Sequence, residues 1–138
     1  MRIFLLCSAF LLAAYAVCGQ NPDSLGTFEN PIVVTDCDSV KYFVGKVIAI
    51  VGPVAQVKKS QGQDGKMGFL NLFKAYPENP FSVVIYRQYL AFFEPLEQYD
   101  GKKVRIKGKV TTYQEKRTGT DRYSITLRKP AQIEIIEP

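Results

Sequence analysis

The chain has 138 residues, 46% of them hydrophobic, with 18 Lys and Arg against 13 Asp and Glu, three Cys, and neither Trp nor His. Lack of His removes the usual general base and the commonest metal ligand. Because only Cys37 lies beyond Cys18, the rest of the chain has neither a thiolate zinc cluster nor an internal disulfide framework available to it.

The first 19 residues, "MRIFLLCSAFLLAAYAVCG", place one cation, Arg2, before an apolar run from Ile3 to Val17 and end in small residues. This pattern predicts a secretory signal peptide with cleavage before Gln20, and hence a secreted or periplasmic protein. The competing expectation, a lipid anchor on Cys18, fits less well because Tyr15 and Val17 are poor lipobox residues. No second apolar stretch of spanning length follows. Residues 20–34 read as an irregular lead-in and residues 35–138 as one domain. Within it Cys37 reads as a small buried hydrophobe.

Thr35 or Asp36 predicts the cap of a short helix reaching Phe43, with Asp36 and Asp38 in its first turn. "VGKVIAIVGPVAQV" predicts the first strand and "KKSQGQDGKMG" a loop. "FLNLF" and "FSVVIY" predict the second and third strands, joined by "KAYPENP". "RQYLAFFEPLEQY" has helical spacing, with Tyr89, Phe92, Phe93 and Leu96 towards one side, and Pro95 limits it to one or two turns before that residue. "GKKVRIKGKVTTY" predicts the fourth strand, "QEKRTGTDR" a hairpin loop turning at Gly119, and "YSITLR" the fifth. The tail "KPAQIEIIEP" predicts a short extended segment.

Two of these strands repeat one pattern 56 residues apart. Gly45-Lys46 opens the first and Gly101-Lys102 the fourth; Gly52 and Gly108 follow seven positions on, and Val54 and Val110 two beyond those. Three strands, a helix and two strands, preceded by a short N-terminal helix, is the order of the OB-fold, an all-β five-stranded Greek-key barrel. Its first and fourth strands are long and bent, and a glycine inside each permits a bulge or close approach at the bend.

Four stretches, "KYFVGKVIAIVGPV", "GFLNLFKAYPENPFSVVIY", "FFEPLEQYDGKKVRIKGKV" and "PAQIEI", together resemble a family of small bacterial proteins carrying an OB-fold nucleic-acid-binding type domain. The resemblance rests on Phe69 to Leu72, Tyr76-Pro77, Tyr99 to Lys102 and Pro130 to Ile133, within about residues 40–135. It implies the fold and, more weakly, nucleic-acid binding. The chain departs from the family between Tyr113 and Tyr123, where a long charged hairpin replaces a shorter turn.

OB-folds bind ligands across strands two and three and the loops beside them. Alternation with Leu70, Leu72, Phe81, Val83 and Ile85 inward leaves Phe69, Phe73 and Tyr86 as candidate stacking rings and Asn71 as a hydrogen-bonding partner; the alternative register, one residue away, makes the rings core. Lys58, Lys59 and Lys66 in one flanking loop, and Lys116, Arg117 and Arg122 in the other, are candidate phosphate contacts. Residues 58 to 138 carry 15 cations against 9 acids, which favours polyanionic partners. Lys103, Arg105, Lys107 and Lys109 alternate along the fourth strand, a pattern that a solvated strand face explains as well as an anionic ligand does.

Catalysis has little to work with. No Gly-rich phosphate loop precedes a helix, no Gly-x-Ser-x-Gly elbow occurs, and the nearest acidic pair, Asp36 and Asp38, precedes the first strand. The expectation is a non-enzymatic binding protein without cofactor or metal, its partner single-stranded nucleic acid or another polyanion. The alternative is an envelope or stress module that binds protein or glycan.

Overall fold

The computed structural model describes residues 25–62 and 65–137. Eight strands dominate it: β1 (Ile32–Val34), β2 (Val47–Gly62), β3 (Gly65–Leu72), β4 (Phe81–Ile85), β5 (Lys103–Lys109), β6 (Thr111–Gln114), β7 (Asp121–Thr126) and β8 (Ile133–Glu137). One helical turn, α1 (Arg87–Leu90), and 3-10 turns at Val40–Phe43, Leu96–Tyr99 and Pro130–Gln132 complete the elements. The strands hydrogen-bond in the order β6-β7-β4-β3-β2-β5-β8, with β1 on β2. This is the all-β, OB-fold-like arrangement that the element order predicts. The ladder is not a closed barrel, because its path ends at β6 and β8.

The repeated pattern is built into the centre of this sheet. β2 pairs antiparallel with β5 from Val47–Lys109 to Pro53–Lys103, so the two copies face each other about a pseudo-dyad through the Ile50–Ile106 pair. The ends close identically. Gly45 N–H donates to the Val110 carbonyl (2.9 Å) and Val110 N–H to that of Lys46 (2.9 Å); Gly101 N–H donates to Val54 (3.0 Å) and Val54 N–H to Lys102 (2.8 Å). Gly45 (φ 84°) and Gly101 (φ 71°) take the left-handed backbone these closures require, which a side chain disfavours.

Gly52 and Gly108 serve close approach. A Cβ on Gly52 would sit 2.6 Å from Cζ of Phe73, and one on Gly108 would overlap Cγ2 of Ile125. The partner changes fall two residues later. β2 passes from β5 to β3 at Val54, with a register shift between Val54 and Gln56, and the fourth predicted strand breaks at Val110 into β5 and β6. Both valines are buried in the core, where they fix the corners.

The inward residues are the expected ones: Leu70, Leu72, Phe81, Val83 and Ile85 all lie in the core beside Ile48, Ile50, Val104 and Ile106. Several boundaries differ. The expected lead-in supplies β1, parallel to β2, because Val34 belongs to the core. The N-terminal helix contracts to Val40–Phe43, with Asp36 Oδ1 accepting from Ser39 N–H at 2.9 Å in the turn before it. Cys37 is half-buried there, its thiol pKa raised by burial and then by Asp38. The 58–68 loop is instead the end of a hairpin, with Lys58 and Lys59 in β2 and Lys66 in β3. The helical pattern after β4 is interrupted between α1 and Leu96, so Phe93, Leu96 and Tyr99 reach the core while Phe92 stays 62% exposed. The tail becomes β8 on β5. The expected signal peptide lies outside the described residues.

Candidate nucleic-acid interface

Cross-strand pairs share a face of a sheet. Since Leu70, Val83 and Ile125 point inward, Gln56 and Lys58 of β2, Phe69 and Asn71 of β3, Ser82 and Val84 of β4, Arg122 and Ser124 of β7 and Thr111 and Tyr113 of β6 form the outer face. Tyr76, from the β3–β4 loop, leans over it. Its ring lies 5.1 Å from Lys58 Nζ and 5.5 Å from Cζ of Arg122, within cation–π range. Its hydroxyl donates to Glu115 Oε1 at 2.9 Å. Tyr113 stands directly across the β6–β7 pair from Arg122, 45% exposed against 43% for Tyr76, and burial raises its hydroxyl pKa while the Arg122 charge opposes the rise.

Beneath these rings the polar groups are satisfied within the chain. Asn71, 3% exposed, accepts at Oδ1 from Asn79 Nδ2 (3.2 Å) and Ser82 Oγ (3.0 Å), and donates through Nδ2 to Gln56 Oε1 (2.9 Å). Gln56 Oε1 also accepts from Tyr76 N–H at 3.0 Å. Arg122 donates to the carbonyls of Asn79 (2.9 Å) and Pro77 (2.8 Å) and bridges Glu115 at 2.6 Å. A single network therefore ties β2, β3, β4 and β7 to the loop that carries Tyr76 and to the β6–β7 hairpin. Such a network sets the exposed rings in place, with Lys58 and Arg122 already against the ring of Tyr76.

The candidate residues consequently divide. Phe69 and Lys58 lie on the outer face, and Tyr86, 43% exposed, continues it one residue beyond the Gly68–Ile85 pair. Asn71 is on the expected side but buried and committed to the network, so its expected outward exposure is corrected. Phe73 leaves the face. At φ 70° it centres a tight turn closed by Lys74 N–H to the Leu72 carbonyl (2.9 Å), and its ring packs on Gly52. Lys59 and Lys66 occupy the opposite side of the hairpin from Lys58. Lys59 is ion-paired to Glu94 at 2.9 Å, a contact that raises its pKa and lowers that of Glu94, and Lys66 lies near the same carboxylate. Lys116 and Arg117 are exposed in the hairpin turn, where Gly119 has φ 68° as its place in the sequence predicts. Arg122 is not free: its guanidinium clasps the loop.

Tyr76 and Tyr113 are the residues that sequence reasoning missed. Tyr76 is quoted in the family-like Tyr-Pro pattern, and Tyr113 alternates with Thr111 along the strand that pairs with Arg122, but only register brings the two rings to one place. Among the described residues no three His, Cys, Asp or Glu side chains come together as a metal site, and no helix is long and apolar enough to cross a membrane.

Glu115 makes the network sensitive to acid. Arg122, then the Tyr76 hydroxyl, holds its carboxyl below the usual range. A lowered folded pKa gives stability that is complete above the ordinary glutamate value of about 4.3 and is lost as the pH falls through the lower folded value. Acidification is therefore expected to loosen residues 76–80 and 114–122 ahead of the core, measured by amide exchange against pH. Glu115→Gln should remove that pH dependence; an unchanged profile would refute the assignment.

The fold and its outer face define an OB-fold-like class. No protein-family model matches the chain, and no curated protein matches it in sequence. Among solved structures it is similar to the aspartyl tRNA synthetase from Entamoeba histolytica (TM-score 0.50, 15% identity), covering 75% of this chain and 21% of that one. It thus spans about a fifth of the synthetase's length. It is also similar to the Plasmodium falciparum SSB in complex with ssDNA (TM-score 0.44, 16% identity), covering 67% of this chain and 93% of that one. At these identities the likeness is one of fold.

Proposed function

We propose that this protein binds single-stranded nucleic acid across the outer face, without catalysing a reaction. Phe69, Tyr86 and Tyr113 offer rings to bases, and Lys58, Lys116 and Arg117 meet the phosphates. Asn71 and Arg122 serve as the frame beneath. The observation that carries this reading is the exposed Tyr76 and Tyr113 pair with cations beside it, held over a polar network that is already satisfied. The N-terminal apolar run from Ile3 to Val17 supports action outside the cytoplasm, after removal of residues 1–19.

Polarisation titrations with labelled oligonucleotides at several salt concentrations test the reading. Two or three phosphate contacts give a log–log salt slope of about −1.4 to −2.1, at roughly 0.7 per contact. Charge reversal at Lys116 and Arg117 should flatten that slope. Tyr113→Ala should instead weaken binding by about 1 to 3 kcal/mol and leave the slope nearly unchanged. No binding at low salt would overturn the proposal and bring forward the envelope module for protein or glycan, while equal affinity for heparin would reduce it to a general polyanion surface.

A further inference from the structure

β5 carries four outward cations, and its neighbours treat them unequally. β8 supplies Glu137 to Lys103 (3.8 Å) and Glu134 to Arg105 (3.9 Å). Lys107 and Lys109 receive no acid among the described residues. They line instead a cleft of about 540 Å³ between the β5–β6 corner, the end of β7 and the 128–132 segment, together with Arg128, Lys129, Thr126 and Phe28. Four cations and no carboxylate line this cleft.

The convergence is built rather than incidental to mobile side chains. The Gln132 carboxamide joins the parts that carry the charges: Oε1 accepts from the N–H groups of Arg128 (2.8 Å) and Lys129 (3.0 Å), and Nε2 donates to the carbonyls of Lys107 (3.1 Å) and Thr126 (3.3 Å). Lys107 Nζ donates to the Phe28 carbonyl at 3.2 Å, which brings the N-terminal segment up as a wall. Phe28 remains 48% exposed as a residue. The segments that carry the four cations are thus fastened around one cleft, where a bound anion would meet positive charge on several sides. A guanidinium with several ammonium groups matches the multiple oxygens of phosphate, and an exposed ring beside them gives a flat group a surface to stack on.

We propose that this cleft binds a nucleotide, a phosphate carried beside a flat aromatic ring, either free or at the end of a strand. The cleft meets the outer face at Thr111 and Thr126 but shares none of its proposed ring or phosphate contacts, so the proposal does not rest on nucleic-acid binding by that face.

Calorimetry on the purified protein at low salt tests it with adenosine 5′-monophosphate, ribose 5-phosphate and adenosine. The mononucleotide is expected to bind more tightly than either fragment. Lys109→Ala and Arg128→Ala should each weaken it about tenfold, as expected for losing a charged hydrogen bond. Phe28→Ala should weaken it roughly five- to a hundredfold and leave ribose 5-phosphate unaffected. Neither cation variant should lower the unfolding midpoint, because each removes repulsion. Absence of mononucleotide binding, equal binding of ribose 5-phosphate, or unchanged affinity in the cation variants would overturn the proposal, as would a midpoint lowered by both of them. Competition then separates the sources. A 5′-phosphorylated oligonucleotide that displaces the mononucleotide where its 5′-hydroxyl counterpart does not assigns the cleft to strand ends; equal competition, or none, assigns it to free nucleotide.

Discussion

Gly108→Val is expected to lower stability by about 1 to 3 kcal/mol, the usual cost of forcing extra carbon into a packed core. Valine is a better strand residue than glycine, so on an open strand the change would be neutral or favourable. Here the new Cβ would overlap Cγ2 of Ile125, a fully buried side chain of β7. The sign of the effect therefore separates contact from propensity. Chemical denaturation measures it, with the double variant Gly108→Ala/Ile125→Ala as the control. Ile125→Ala alone leaves a cavity costing about 2 to 5 kcal/mol, and the second substitution should fill part of it. The double variant should then fall short of the sum of the singles by more than about 0.5 kcal/mol. An unchanged midpoint for Gly108→Val, or strict additivity, would show that the β5–β7 approach is not what demands glycine.

Arg122→Ala should cost about 2 to 3 kcal/mol, from charge-assisted hydrogen bonds to the Asn79 and Pro77 carbonyls that no other donor replaces. The Arg122 side chain is 14% exposed and its Glu115 partner 12%, so water compensates only in part. The loss is expected to be local. Amide protection should drop across residues 71–82 and 111–124 while the β2–β5 pair keeps its own, and oligonucleotide affinity should fall because Tyr113, paired across from Arg122, loses its support. Lys should not substitute for Arg, since the acceptors are met from three nitrogens of one rigid fork. A Lys variant as stable as the wild type would contradict this account.

The predicted interface was legible in part. Alternation in "FLNLF" and "FSVVIY" placed Leu70, Leu72, Phe81, Val83 and Ile85 correctly, because burial on one side of a sheet imposes a two-residue period. It failed at Phe73, where the left-handed backbone ends the period and turns the ring onto Gly52. Among the cations, Lys58 and Lys59 look equivalent in sequence. One residue of register puts the first beside Tyr76 and the second against Glu94. Arg122 reads as a solvated loop charge, yet besides Glu115 in its own hairpin its acceptors are on Asn79 and Pro77, 43 and 45 residues earlier. No local pattern encodes such a contact.

By itself, the sequence determined the all-β order, the helical turn that follows β4 and the paired pattern of β2 and β5. These follow from local rules: β-branched runs, prolines that stop helices, and glycines at repeated spacing. Only the tertiary structure decided what each feature is for. It set the two glycine copies face to face and filled their spaces with Phe73 and Ile125. It assigned acids to Lys103 and Arg105 but none, among the described residues, to Lys107 and Lys109. It gathered Tyr76, Tyr113 and Arg122 from three separate elements. The physical reason is that strand pairing fixes which side chains share a face and which long-range neighbours they meet, and both depend on register between segments that lie far apart in the chain.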